Sequence, residues 1–253
     1  MLNSSCISKL RFFLLQNCSL PTLTVGDVIG PESYSSKNGR IYAGVVGGDV
    51  VSFDPDDLSA GVSFETRVAP SCGPNRQPYE ESRCGRVLGL EFDAEGNLIL
   101  ADAFFGLYKW TSGKGPVPLV PATRLIDGTP NLITNSLTIA KKTGAIYFTS
   151  SSSWLTLSSS MPEILRLNPS GRVMKYDPKS DSVEVLVDHV PFANGIQLSP
   201  DESFFVFASC GDTMIYKHHL EGPEAGTTQE FFQVYFILFS GAASVVILRP
   251  LGV

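Results

Sequence analysis

Apolar positions in this chain fall in short runs between polar turns, and the arrangement recurs four times. In each unit a turn carrying glycine or an acid precedes an apolar strand, a short gap follows, and a second apolar strand comes next. The units are Asn38–Gly44 with Asp49–Phe53, Glu95–Asp102 with Gly106–Trp110, Thr143–Thr149 with Gly171–Tyr176, and Asp201–Phe207 with Asp212–Lys217. Their turn positions, 39, 96, 144 and 202, lie 57, 48 and 58 residues apart. A four-stranded blade with its connections takes about 40 to 50 residues, so the period predicts an all-β propeller. Three of the units are led by an earlier strand, Leu88–Asp93, Ser136–Ala140 and Asn194–Asp201, with polar residues at or before its start. The innermost strand of each blade lines the axis, so such residues are expected to converge at one mouth.

Composition agrees. With 23 Gly, 17 Pro and 26 aromatic residues against 17% charged, the chain has the profile of turn-rich β structure. A net charge of -6 argues against a nucleic-acid partner. No cluster of four Lys or Arg favours a membrane surface.

Of five cysteines, Cys72 and Cys84 bracket a polar stretch with two prolines and no apolar periodicity. A loop of that size gains about 3 kcal/mol from a cross-link in the chain-entropy model. The residues equally allow two unrelated buried thiols. Residues 1–27 form an N-terminal segment whose apolar run, broken by Arg11, is too short to span a bilayer and makes a poor signal peptide. Asn3-Ser4-Ser5 and Asn17-Cys18-Ser19 match the glycosylation sequon. Residues 231–253 form an apolar tail, in which Phe231–Leu248 carries no charge. Its length fits a membrane span. Its β-branched and aromatic content and the Ser240-Gly241 break favour two strands, expected to cover an open blade face.

Familiar catalytic motifs are absent: no G-x-S-x-G, no H-E-x-x-H, no P-loop, no G-x-G-x-x-G. His218 and His219 are adjacent in a predicted strand and point to opposite faces, and His189 reads as a turn residue. What remains is a set of oxygen donors at inner-strand starts: Glu32, Asn135 and Asn194. One carboxylate and two amides form part of a shell for a hard cation such as Ca²⁺. Asn194 before Gly195 also reads as an ordinary turn pair, and Glu32 as a turn cap. Ser150–Ser160, with Trp154 inside it, reads as a long loop that either covers the mouth or lies free on the surface.

Six ordered segments then carry a resemblance: Gly30–Ser33, Cys84–Leu90, Ala101–Leu107, Ile146–Ser152, Gly171–Pro178 and Phe192–Asp201. They resemble the strictosidine synthase-like family, most closely its animal branch, over about Val28 to Thr228. The resemblance implies a six-bladed propeller of the strictosidine synthase/paraoxonase type, with about four blades present in residues 28–230. It also implies a Cys72–Cys84 disulfide, a secretory route with membrane association or a lumenal or extracellular place, and arylesterase-type hydrolysis of a small ester or lactone. Ca²⁺-binding relatives use residues like Glu32, Asn135 and Asn194 plus a later aspartate that has no counterpart here. The glutamate needed for strictosidine synthesis lies in a blade that is also without counterpart, so that activity is not expected. The alternative is a non-catalytic propeller that binds a ligand or partner, since the fold hosts both. As an arc of four units, the chain is expected to be inactive alone.

Overall fold

The computed structural model describes residues 30–69, 72, 80–238 and 244–250. Four antiparallel sheets follow one another along the chain. The first contains β1 (Tyr34–Lys37), β2 (Arg40–Gly44), β3 (Asp49–Phe53) and β4 (Ser63–Arg67). The second contains β5 (Val87–Phe92), β6 (Leu98–Asp102), β7 (Gly106–Trp110) and β8 (Val117–Pro121). The third contains β9 (Thr134–Ile139), β10 (Ile146–Ser150), β11 (Gly171–Asp177) and β12 (Ser182–Val190). The fourth contains β13 (Ala193–Leu198), β14 (Phe204–Ser209), β15 (Met214–His219), β16 (Thr228–Leu238) and β17 (Ser244–Pro250). Strand order within each sheet is sequential, and the first strands pack side by side, β1 on β5, β5 on β9 and β9 on β13. This is a propeller arc of four blades.

The repeat turns fold as their residues dictate. Asn38 and Gly39, at φ 52° and 79°, form a two-residue hairpin between Lys37 and Arg40, the left-handed turn that matches strand twist. Period-two alternation in the middle strands then divides the core among three interfaces. On β6, Leu98 and Leu100 face blade 1 with Val50 and Val87, while Ile99 and Ala101 face blade 3 with Ile146 and Phe148. On the third blade, Ala145 and Tyr147 turn the other way to Phe205 and Phe207 of blade 4. Burying both faces makes these strands continuous apolar runs, which is why they stand out in the sequence. Each fully buried side chain, such as Phe148 or Leu100, contributes about 1.5–3 kcal/mol.

The tail forms strands, though not as a cover for an open face. β16 pairs with β15 as the fourth strand of its blade, and β17 extends the same sheet at its outer edge, from Phe232 opposite Pro250 to Leu238 opposite Ser244. Backbone pairing along the edge of β15, and then of β16, supplied the partner. The expected break at Ser240-Gly241 lies outside the described residues, as do residues 1–27 with their cysteines and sequons. Among the described residues no helix is long and apolar enough to cross a membrane.

Cys72 and Cys84 are bonded, with Cα atoms 5.5 Å apart, and Cys84 ends the short helix α1 (Glu81–Cys84). Cys210 is free and exposed. His189 lies within β12 rather than in a turn, and its φ of 60° marks an irregularity near the end of that strand.

Candidate functional site at the inner-strand starts

The inner strands of blades 2, 3 and 4 share a local irregularity. In β5, Val87 and Gly89 oppose Asp102 and Ala101, so Leu88 is an extra residue. In β9, Thr134 and Leu137 oppose Ser150 and Phe148, three steps against two. In β13, Ala193 and Ile196 oppose Ser209 and Phe207, again three against two. A bulge leaves one residue outside the ladder and turns its side chain. Leu88, Asn135 and Asn194 are each the second residue of their strand. All three line one cavity of about 400 Å³.

Glu32, two residues ahead of β1, lines the same cavity, together with Glu81, Arg86, Leu157 and Phe192. The structure therefore brings together Glu32, Asn135 and Asn194. Phe192 holds a φ of 63°, unusual for a bulky residue, and its carbonyl accepts from Cys210 N at 3.1 Å. Backbone strain of this kind persists where surrounding contacts over-determine it.

Two hydroxyl relays couple the bulges of blades 3 and 4. Asn135 Nδ2 donates to Ser151 Oγ at 2.9 Å, and Ser151 Oγ donates to the Ala193 carbonyl at 2.6 Å. Ser136 N donates to Thr149 Oγ1 at 3.1 Å, and that hydroxyl donates to the Asn194 carbonyl at 2.6 Å. With its nitrogen engaged by Ser151, Asn135 has its amide oxygen to offer the cavity. On the blade 2 side, Gly89 lets β9 approach: a Cβ there would sit 2.8 Å from the Asn135 carbonyl.

Electrostatics centre on Arg86. Its Nη2 donates to the Gly30 carbonyl at 2.6 Å, and its Nη1 lies 3.7 Å from Glu81 Oε1 without a hydrogen-bond partner. Glu32 stands open at the rim. Crowding by the walls raises its carboxyl pKa above the ordinary value, and the Arg86 charge offsets part of that. Glu81 behaves likewise for the same two reasons. The Cys210 side chain is exposed, yet desolvation around its thiol raises its pKa; the Asn194 side chain opposes this by hydrogen bonding, and the Glu32 charge adds to it.

Glu32, Glu81, Asn135 and Asn194 present hard oxygen donors, which suit Ca²⁺. Among the described residues no three His, Cys, Asp or Glu side chains cluster as metal ligands, so a cation here would lean on amide oxygens and water. The histidines stand elsewhere. His218 is buried with Nδ1 2.8 Å from Thr228 Oγ1, and His219 Nε2 lies 3.3 Å from Glu224. A larger cleft, about 830 Å³, opens at the opposite ends of β5 and β9, lined by Ile99, Leu119, Ile139 and Ile146 with lysines and acids at its rim. Its lysine Lys109 pairs with Asp93 at 3.6 Å, and the bulged strand starts do not reach it. Sequence reasoning missed Glu81, Arg86 and Phe192, although Cys84-Gly85-Arg86 and Phe192-Ala193-Asn194 stand in the motifs already noted.

Known proteins resemble the chain over most of its length. Residues 135–223 match the strictosidine synthase family and residues 18–53 match the strictosidine synthase-like N-terminal family. Adipocyte plasma membrane-associated protein Hemomucin of Drosophila melanogaster is 40% identical over 215 residues, 83% of this chain and 36% of that protein. Adipocyte plasma membrane-associated protein of Salmo salar is 32% identical, covering 81% of this chain and 48% of its own length. Strictosidine synthase-like 3 of Arabidopsis thaliana is 35% identical, covering 85% and 56%. The chain thus spans about half or less of these relatives. Among solved structures, a gluconolactonase of Xanthomonas campestris superposes with a TM-score of 0.59 at 16% identity, over 81% of this chain and 63% of that one. A chain of the nidogen/laminin complex superposes at 0.52 and 11% identity, over 77% and 61%. At these identities the likeness is one of fold.

Proposed function

Since the chain belongs to the strictosidine synthase-like family, we propose that its propeller hydrolyses small aryl esters or lactones at the inner-strand starts with the help of Ca²⁺. The observation that carries this reading is the gathering of Glu32, Asn135 and Asn194 in one cavity by three independent strand starts. The gluconolactonase fold neighbour supports the lactone side of it. Bound Ca²⁺ would polarise the substrate carbonyl and stabilise a developing oxyanion, an effect of several kcal/mol in such sites.

The chain's own groups take the remaining roles. Glu32, Asn135 and Asn194 would hold the cation through carboxylate and amide oxygens. Arg86 Nη1, buried and without a hydrogen-bond partner, donates to an anionic oxygen of the substrate. Leu88, Phe192 and Leu157 receive the aryl group and exclude water from one side. The Cys72–Cys84 bond, of a kind that persists in oxidising compartments, supports a secretory route.

Phenyl acetate hydrolysis, followed with Ca²⁺ and with a chelator, tests the reading. Ca²⁺-dependent turnover that falls at least tenfold in Asn194→Ala, with an unchanged melting temperature, is expected, and would show that four blades suffice against the expectation that such an arc is inactive alone. Ca²⁺ binding with no turnover would make the propeller a binding module, and a variant that merely fails to fold would assign Asn194 to structure.

A further inference from the structure

The larger cleft lies at the far ends of the inner strands, and two repeat turns flank it. After β5, the blade 2 turn is closed on itself: Asp93 accepts from Asn97 N at 2.7 Å and from Asn97 Nδ2 at 2.9 Å. After β9, the blade 3 turn is tied onward to blade 4: Glu202 accepts from Lys141 N at 2.7 Å and from Lys142 N at 3.3 Å. The space left between the two turns is about 830 Å³. Small-molecule pockets run from about 300 to 1,000 Å³.

The walls are the end of the core between blades 2 and 3. Ile99, Ile139, Ile146 and Tyr176 belong to that core, and Leu119 packs against it half-buried. The rim carries Lys109, Lys141, Lys142 and Lys179, four of the nine lysines in a chain of net charge -6. The lysine ion pairs among the described residues are Lys109 with Asp93 and Lys175 with Glu184. Lys141, Lys142 and Lys179 thus stand exposed without a salt bridge. All three lie in turns of blade 3, after β9 and after β11, so the unpaired positive charge gathers on one side.

Nearby acids are otherwise engaged. Asp93 is held by Asn97 and Lys109. Glu202 is taken up by backbone N–H groups. Glu91 is half-buried in the wall; burial raises its pKa, and hydrogen bonds from Thr138 and the Ile139 backbone, with the Lys141 charge, offset part of this. Glu95 is exposed, on the blade 2 turn.

We propose that this cleft binds an amphipathic carboxylate, its alkyl body along Ile99, Leu119, Ile139 and Ile146 and its carboxylate at Lys141 and Lys179. Aliphatic walls suit an alkyl body, at about 25 cal/mol per Å² of apolar surface buried. Ammonium groups give the carboxylate charge-assisted hydrogen bonds, which a neutral alcohol of the same length would lack. Glu32, Asn135 and Asn194 line the other cavity, so the proposal stands independently of cation binding and hydrolysis.

Calorimetric titration of the full chain with decanoate and with 1-decanol, in the presence of a chelator, tests it. Saturable binding of decanoate at one site is expected, at least tenfold tighter than decanol. It should weaken as salt is raised, since exposed charges are screened beyond about 10 Å at 0.1 M. Lys141→Glu/Lys179→Glu, at exposed positions, should lower decanoate affinity at least tenfold at an unchanged melting temperature. Leu119→Trp, filling the cleft, should weaken both ligands; should it fail to fold, the lysine variant decides alone. No decanoate binding, equal binding of decanoate and decanol, or decanoate binding that the lysine variant leaves intact would overturn the proposal. In that last case, loss of binding in Arg86→Met would place the carboxylate in the other cavity.

Discussion

Asp102 ends β6 fully buried, and its carboxylate accepts from the backbone N–H groups of Arg86, Phe104 and Phe105 at 2.9, 2.9 and 3.0 Å. Those bonds tie the start of β5, where the bulge begins, to the β6–β7 turn. Burial dominates its titration and raises its pKa to about 6 despite the three donors. Because the folded value lies above the unfolded one, the stabilisation is complete below about pH 4 and is lost as pH rises through 6. A shift of this size corresponds to at most about 3 kcal/mol. Urea unfolding between pH 4 and 7 should show the wild type losing stability relative to Asp102→Asn over that window. Parallel curves for the two proteins would contradict the assignment.

Single residues were also where sequence reading was sharpest and most partial. Asn135 and Asn194 stood out as polar residues at predicted strand starts. The bulges that turn them inward were invisible, since a bulge is defined by its partner strand. Arg86 could not be assigned a role, because its partners Gly30 and Glu81 belong to different elements.

Among elements, the middle strands were legible because both faces are buried and the apolar run is unbroken. β6 is the example, with Leu98–Asp102 buried throughout and found within the run Glu95–Asp102, whereas β14 alternates half-buried and buried residues and runs two residues past the expected Asp201–Phe207, to Ser209. Outer strands such as β4 (SFETR) and β8 (VPLVP) are half exposed, and β1 (YSSK) has no apolar alternation at all. Their placement comes from pairing with a neighbour already in position.

The loop between β8 and β9 depends on one side chain of β11 in the same way. Buried Arg172 donates through Nη1 to the Ile126 carbonyl at 3.0 Å and through Nη2 to Pro130 at 2.8 Å. Arg172→Met should leave these carbonyls without their donor and destabilise the chain by about 2 kcal/mol or more. Arg172→Lys, a point charge without the planar fork, should recover only part of this. Chemical denaturation of the three proteins measures the effect, and a loss below about 0.5 kcal/mol for the methionine variant would show that water replaces the clamp.

At the scale of the whole molecule, three inter-blade interfaces hold four blades and bring four strand starts to one end. The repeat spacing made the arc legible, and the family motifs placed it among six-bladed propellers. Pairing of the tail was less so, because an uncharged apolar run fits a span, a face-covering pair or an edge strand equally well; the vacant edge of β15 decided for the sheet. The disulfide lay between these cases, since spacing allowed it and the family resemblance implied it.

The central claim is that residues from separate blades form one cation site. Calorimetric titration of the full chain with Ca²⁺, beside Asn135→Ala/Asn194→Ala, tests it most directly. The account predicts saturable binding at one site for the wild type, weakening as Glu32 is protonated, and at least a tenfold loss in the variant at an unchanged melting temperature. No binding by the folded wild type, or equal binding by both proteins, would contradict it.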